Sequence, residues 1–181
     1  MRKLGHELGV EAMSLYNHVA NKDELLGGIL ALVTEEIELP HEGDDWRTAV
    51  RRTSVSAYDV LMRHRWAVGM WFHEGGGDTS MRMAEALLRA LREGGFVEEL
   101  AYHAYHSIQA HIMGFCMYEA NFPMKKSEIR EVAARFLRDF PTEKYPYLAE
   151  HIEQHIDPPE AEASTFAFGL DLLLDGLERL K

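Results

Sequence analysis

Apolar positions recur along this chain at spacings of three and four, the period of an amphipathic helix, and strand-like alternation bounded by turns is absent. Leu4 and Leu8 share a face and Gly9 follows as a left-handed stop, which predicts a first short helix. A second short helix is expected from about Glu11 to Val19. Asn21 is a suitable N-cap for a third, with Asp23 and Glu24 at its positive end. That helix carries Leu25, Leu26, Ile29, Leu30, Val33 and Ile37 and should stop before Pro40. His41 to Asp45 is a polar loop and the expected domain boundary.

Beyond it, a helix from about Trp46 to Arg63 presents Val50, Ser54, Ala57 and Leu61 on one face. A short apolar segment, Trp66 to Phe72, leads to a flexible break at Gly75, Gly76 and Gly77. Asp78 or Thr79 then caps a helix through Arg92, with Met83, Ala84, Leu87, Leu88 and Leu91 inward. A long helix is expected from Glu98 to Asn121, apolar over most of its circumference from Ile108 to Tyr118, so that it is buried on several sides. Two more polar helices follow, about Lys126–Asp139 and Glu143–His155. Pro158 and Pro159 mark the start of the last, which carries Phe166, Phe168, Leu170, Leu172, Leu173, Leu174, Leu177 and Leu180. The fold class is therefore all-α, with residues 1–40 as a small head and connecting helix and residues 41–181 as a helical body.

Composition changes this picture little. The chain has 181 residues, 46% apolar and 27% charged, with a single cysteine, Cys116, so no intrachain disulfide can form. That usage fits a reducing cytoplasm. No membrane span and no signal-peptide pattern is present. The formal net charge of −11 argues against a protein that coats nucleic acid by bulk charge, although a small head can read DNA while an acidic body sets the total. The head itself is not basic: Arg2, Lys3 and Lys22 stand against Glu7, Glu11, Asp23 and Glu24.

The two short helices joined at a glycine have the form of a helix-turn-helix, whose second helix enters the major groove N-terminus first. Leu4, Leu8, Val10, Leu15 and Val19 would face the core. Ala12, Met13, Ser14, Asn17 and His18 would face outward, small or polar enough to approach base edges and thymine methyls. Tyr16, Lys22, Arg2 and Lys3 can reach phosphate oxygens. Pairs of short amphipathic helices also occur in all-α proteins that never meet DNA, and the pattern alone does not separate the two readings.

Leu4-Gly5-His6-Glu7-Leu8-Gly9-Val10, then Leu15-Tyr16-Asn17-His18-Val19, then Asn21-Lys22-Asp23-Glu24-Leu25-Leu26, closely resembles the tetracycline repressor (TetR) family head, at that family's spacing with no gap. The ending from Phe166 to Leu180 is similar to the C-terminal domain of the tetracycline-repressor branch. The middle resembles the family only in its order of helices. The resemblance implies a DNA-binding head, an effector-binding body and a homodimer. It also implies a further helix lying across the other two of the head, with no counterpart before Met1. Without that cover each uncovered Leu or Val forfeits roughly 1.5–3 kcal/mol of burial. Met1 is therefore expected to be an internal methionine of a longer chain; an immediate in-frame stop upstream of its codon, with no possible start between, would sink that expectation.

Candidate chemistry in the body is sparse. Glu99, His103 and His106 fall at i, i+4 and i+7, a spacing that can offer ligands to one ion, although pocket or interface histidines would look the same. His151 and His155 lack the glutamate placement of a zinc protease. The glycine run, flanked by Glu74 and Asp78 and followed by no lysine, is a poor phosphate cradle. Cys116 sits in an apolar helix where a thiolate is disfavoured. Trp66, Met70, Trp71, Phe72, Met81, Met83, Met113, Phe115 and Met117 come from segments that should pack together, as plain core or as an adaptable apolar pocket. The resemblance places an effector cavity there, with His64, Trp66, Met70, Trp71, Met83, His103, His106, His111 and Met113 as its candidate lining. Nothing in this set specifies tetracycline or magnesium, and no cofactor or bound metal is expected.

The expectation is a non-enzymatic, cytoplasmic, ligand-responsive transcriptional repressor. Its partners are double-stranded operator DNA, in the full-length form, and a small apolar effector, and it dimerises through the Glu98–Asn121 helix and the final helix. Two rivals remain: a helical metalloprotein using Glu99, His103 and His106, and a DNA-independent ligand-binding dimer.

Overall fold

The computed structural model describes residues 1–74, 77–122, 126–157 and 164–181, and among these all regular structure is helical. In chain order the helices are α1 (Arg2–Leu8), α2 (Ala12–Leu15), α3 (Lys22–Glu35), α4 (Trp46–Arg63), α5 (Val68–Glu74), α6 (Gly77–Glu93), α7 (Glu98–Asn121), α8 (Lys126–Leu137), α9 (Pro146–Ile156) and α10 (Thr165–Leu180), with a 3-10 turn at Arg65–Ala67 between α4 and α5. The bounds of α4 and α7 are those the apolar pattern predicts. Gly75 and Gly76 of the expected break lie outside the described residues, as do Pro158 and Pro159, and so do the side chains of Phe72 and Thr79. The final helix begins at Thr165, not at the proline pair.

The chain divides into two compact units: Met1–Ala120 with Phe166–Lys181, and Asn121–Thr165. In the first, Leu30 and Val33 of α3, Val50, Ala57 and Leu61 of α4, Leu87 and Leu91 of α6, Ile108 and Ile112 of α7, and Phe166, Leu170 and Leu174 of α10 form one apolar core. Each helix contributes the stripe its i, i+3, i+4 pattern specifies. Trp46 seals one end, edge-on to Phe96 with ring centroids 4.7 Å apart. The loop glycine Gly94 makes this possible, because a Cβ there would lie 2.5 Å from the Trp46 Cβ.

Polar contacts then join α4 to its neighbours. Arg47 pairs with Asp175 at 2.7 Å and Arg51 Nε donates to Asp171 at 2.8 Å, while Trp46 Nε1 donates to Glu178 at 2.9 Å. The Arg51 guanidinium holds the Asp171 carboxyl below the usual range. Asp45 caps α4, its carboxylate accepting from the backbone N–H of Arg47 and Thr48. In the second unit α8 packs against α9, and Phe136, Phe140 and Tyr145 form a chain of ring contacts at 5.2 and 6.1 Å.

Candidate nucleic-acid interface and effector core

The helix-turn-helix segment forms as two short helices. α1 ends at Gly9, which adopts φ 69°, the left-handed conformation the sequence requires there; its N–H and that of Val10 bond back to His6 and Gly5 carbonyls. The second helix is shorter than expected. It stops at Leu15, and Tyr16, Asn17 and His18 continue in tighter turns whose N–H groups reach Met13, Ser14 and Leu15 carbonyls three residues back. Asn21 caps α3, its side chain accepting from Glu24 N–H at 2.8 Å, and the Glu24 carboxylate in turn accepts from Ala20 N–H.

Arg2, Lys3, Met13, Tyr16, Asn17, His18 and Lys22 are all exposed. Ser14 is half-buried, turned further inward than its outward assignment. The side chain of Ala12 lies outside the described residues. On the apolar side, Leu4, Leu15 and Val19 are half-buried, but Leu8 and Val10 are exposed at 60% and 43%, against the expectation that they face a core.

The candidate effector residues fall into separate places. Met83 and Met113 are buried in the core and Met70 and Trp71 pack against it. Trp66 is 51% exposed. His64, at the C-cap of α4, places Nε2 within hydrogen-bond distance of the Glu36 carboxylate, at 2.9 Å. His103 and His106 lie on the exposed face of α7 beside Tyr102, whose ring centroid is 4.4 Å from that of His106. His111 turns the other way, bonding through Nε2 to the Phe166 carbonyl at 2.9 Å and packing on Phe115 and Phe166. The metalloprotein rival loses its site here: among the described residues no three His, Cys, Asp or Glu side chains converge on a point where an ion could bind.

The core holds polar groups that the apolar pattern did not single out. Thr53 and Ser54 hydroxyls are fully buried and have no hydrogen-bond partner among the described residues. Tyr58 stacks on Phe166 with centroids 4.1 Å apart and donates to Glu119 at 2.6 Å; burial, then the Glu119 carboxylate, raises its hydroxyl well above the ordinary tyrosine value. Beside them Cys116 is buried, and desolvation pushes its thiol up to about 12. Hydroxyl residues at inward positions of a predicted helix, as Ser54 is, are the one signal that could have found this set.

The tetracyclin repressor-like C-terminal domain matches residues 39–180, most of the chain. The chain belongs to the tetracycline repressor family. It is 28% identical to the tetracycline repressor protein class G of Vibrio anguillarum over 99% of this chain and 84% of that protein. It is 27% identical to the HTH-type transcriptional repressor DrrR1 of Streptomyces coeruleorubidus, over 99% of this chain and 70% of that one. Among solved structures, apo ActR from Streptomyces coelicolor superposes with a TM-score of 0.71 at 25% identity, covering 98% of this chain and 85% of that chain. Family membership makes this chain a transcription regulator of repressor type, all-α, with a helix-turn-helix head and a helical C-terminal domain. Among its described residues no helix is long and apolar enough to cross a membrane.

Proposed function

We propose that this protein is a homodimeric repressor that binds palindromic operator DNA through residues 1–40 and releases it when residues 41–181 bind a small, mainly apolar effector. The observation that carries the reading is the head. Its two short helices turn at Gly9 and leave Met13, Tyr16, Asn17 and His18 exposed together, in a chain whose relatives are named as repressors. Met13, Ser14, Asn17 and His18, with Ala12, read base edges; Arg2, Lys3, Tyr16 and Lys22 hold phosphates. The head supplies so few cations that base contacts and dimer geometry must carry much of the affinity. The function is regulatory rather than enzymatic, and its site of action is the cytoplasm, where its operator lies.

The effector would insert beneath α4, among Met70, Trp71, Met83 and Met113, with His64, Trp66 and His111 at its margin. Thr53 and Ser54 supply hydroxyls that have no partner to lose among the described residues. Dimerisation would use α7 and α10, whose outer faces expose Tyr102, His103, His106, Phe168 and Leu172 beside small Ala110 and Gly114. A two-fold pair of such helices makes an isologous four-helix contact. A gel shift with DNA flanking the gene tests the whole: retardation reversed by an apolar effector is expected, and no retardation at any protein concentration overturns it.

A further inference from the structure

The link between the end of α3 and the end of α4 is built on one carboxylate. Glu36 is the C-cap of α3, where a negative charge faces the negative end of the helix dipole and helps α3 not at all. The partners that hold it there are on α4. Arg63 Nη2, in the last turn of α4, donates to Oε2 at 2.9 Å, and His64 Nε2, the α4 C-cap, meets Oε1 at 2.9 Å, so both carboxylate oxygens are engaged. Hydrogen bonding from Arg63, then His64, lowers the Glu36 carboxyl from its ordinary value. Two residues further along the chain, Ser56 Oγ accepts from the Glu38 N–H at 2.8 Å and Arg52 Nε lies 3.5 Å from the Glu38 carboxylate. The segment leaving α3 is thus pinned to α4 on its polar side, while Leu30 and Val33 of α3, with Ile37 just beyond it, are buried on its apolar side.

We propose that Glu36 is a positioning residue for operator binding: its fork of contacts to Arg63 and His64 fixes the angle at which α3 presents the head. The inference rests on the operator reading above and adds to it a residue that touches no DNA. Oily contacts along one stripe still allow α3 to roll about its own axis, because they have no direction; two hydrogen bonds to one carboxylate do have direction and oppose that roll. A head held in one orientation loses less freedom on binding, and the loss avoided appears as affinity.

The competing view is that Glu36 is a solvated surface charge that contributes nothing, since exposed ion pairs are weak. The two views differ in sign. Removing a carboxylate from a DNA-binding protein tightens binding if only charge matters, because less negative potential faces the phosphates. Removing a positioning contact weakens it. An unchanged salt slope shows that the number of phosphate contacts is unchanged, since each one gained or lost alters the slope of log affinity against log salt by about 1.

The experiment measures fluorescence anisotropy of labelled flanking DNA against the full chain, as wild type, Glu36→Gln, and the charge swap Glu36→Arg with Arg63→Glu. Glu36→Gln is expected to weaken operator binding roughly two- to tenfold with an unchanged salt slope, and the swap to recover most of that loss. Hydrogen exchange of the α3 backbone amides should quicken in Glu36→Gln and slow again in the swap. Equal or tighter binding by Glu36→Gln, or unaltered exchange in α3, overturns the proposal. Failure of the wild type to bind flanking DNA overturns the operator reading instead, and this inference with it.

Discussion

Gly169 lets α10 lie close to α7: a Cβ there would sit 2.7 Å from His111 Cε1, the ring that bonds the Phe166 carbonyl. Gly169→Ala should displace that ring and cost roughly 1–3 kcal/mol, read as a lower urea midpoint at unchanged slope. Leu61 is fully buried in the same core, and Leu61→Ala should cost about 2–5 kcal/mol by the same measurement. Cys116 makes a different prediction. With its thiol raised to about 12 and shielded, it should resist a thiol reagent at pH 8 in the folded protein and react rapidly in denaturant. Rapid native labelling would contradict that burial. Neither the close approach at Gly169 nor the isolation of Cys116 from solvent follows from spacing alone, although an apolar setting for Cys116 was legible.

Helix α4 begins where its chemistry says it should. Asp45 caps it, and hydrogen bonds from the Thr48 side chain, then the Thr48 backbone, lower the Asp45 carboxyl from its ordinary value. A lowered carboxyl stabilises the fold at pH above its unfolded value, and that contribution disappears as pH falls through the folded value. The urea midpoint should therefore drop on acidification below about pH 4, and less steeply in Asp45→Asn, which keeps the cap but not the charge. An identical acid dependence in the two proteins would count against the cap. The bounds of α4 and α7 were legible because a strong cap or a clear loop precedes a long periodic run. Those of α2 and α10 were not. α2 gives way after Leu15 to turns closed three residues back, a choice between two bonding patterns that hydropathy does not report. The proline pair marked a permitted start for α10 rather than the start adopted.

At the scale of the molecule, α7 and α10 carry two faces each. Ile108, Ile112, Leu170 and Leu174 point into the core of their own chain, while Tyr102, Phe168 and Leu172 remain exposed at 60%, 61% and 58%. If the outer faces pair about a two-fold axis, Leu172→Arg should yield a monomer by sedimentation velocity with its helical circular dichroism intact; a dimer of unchanged mass would redirect the interface elsewhere. The sequence by itself determined the all-α class, the bounds of α4 and α7, the Gly9 turn, the Asn21 cap and the family of the head, because periodicity, caps and left-handed glycines are local and residues within a few positions decide them. Tertiary structure decided what those helices bring together. It sent His111 inward and His103 and His106 outward on one helix, buried Thr53 beside Ser54, joined Tyr58 to Glu119, and gave Glu36 its two partners on α4. Such pairings depend on how helices distant in sequence cross, and no spacing along the chain encodes that angle.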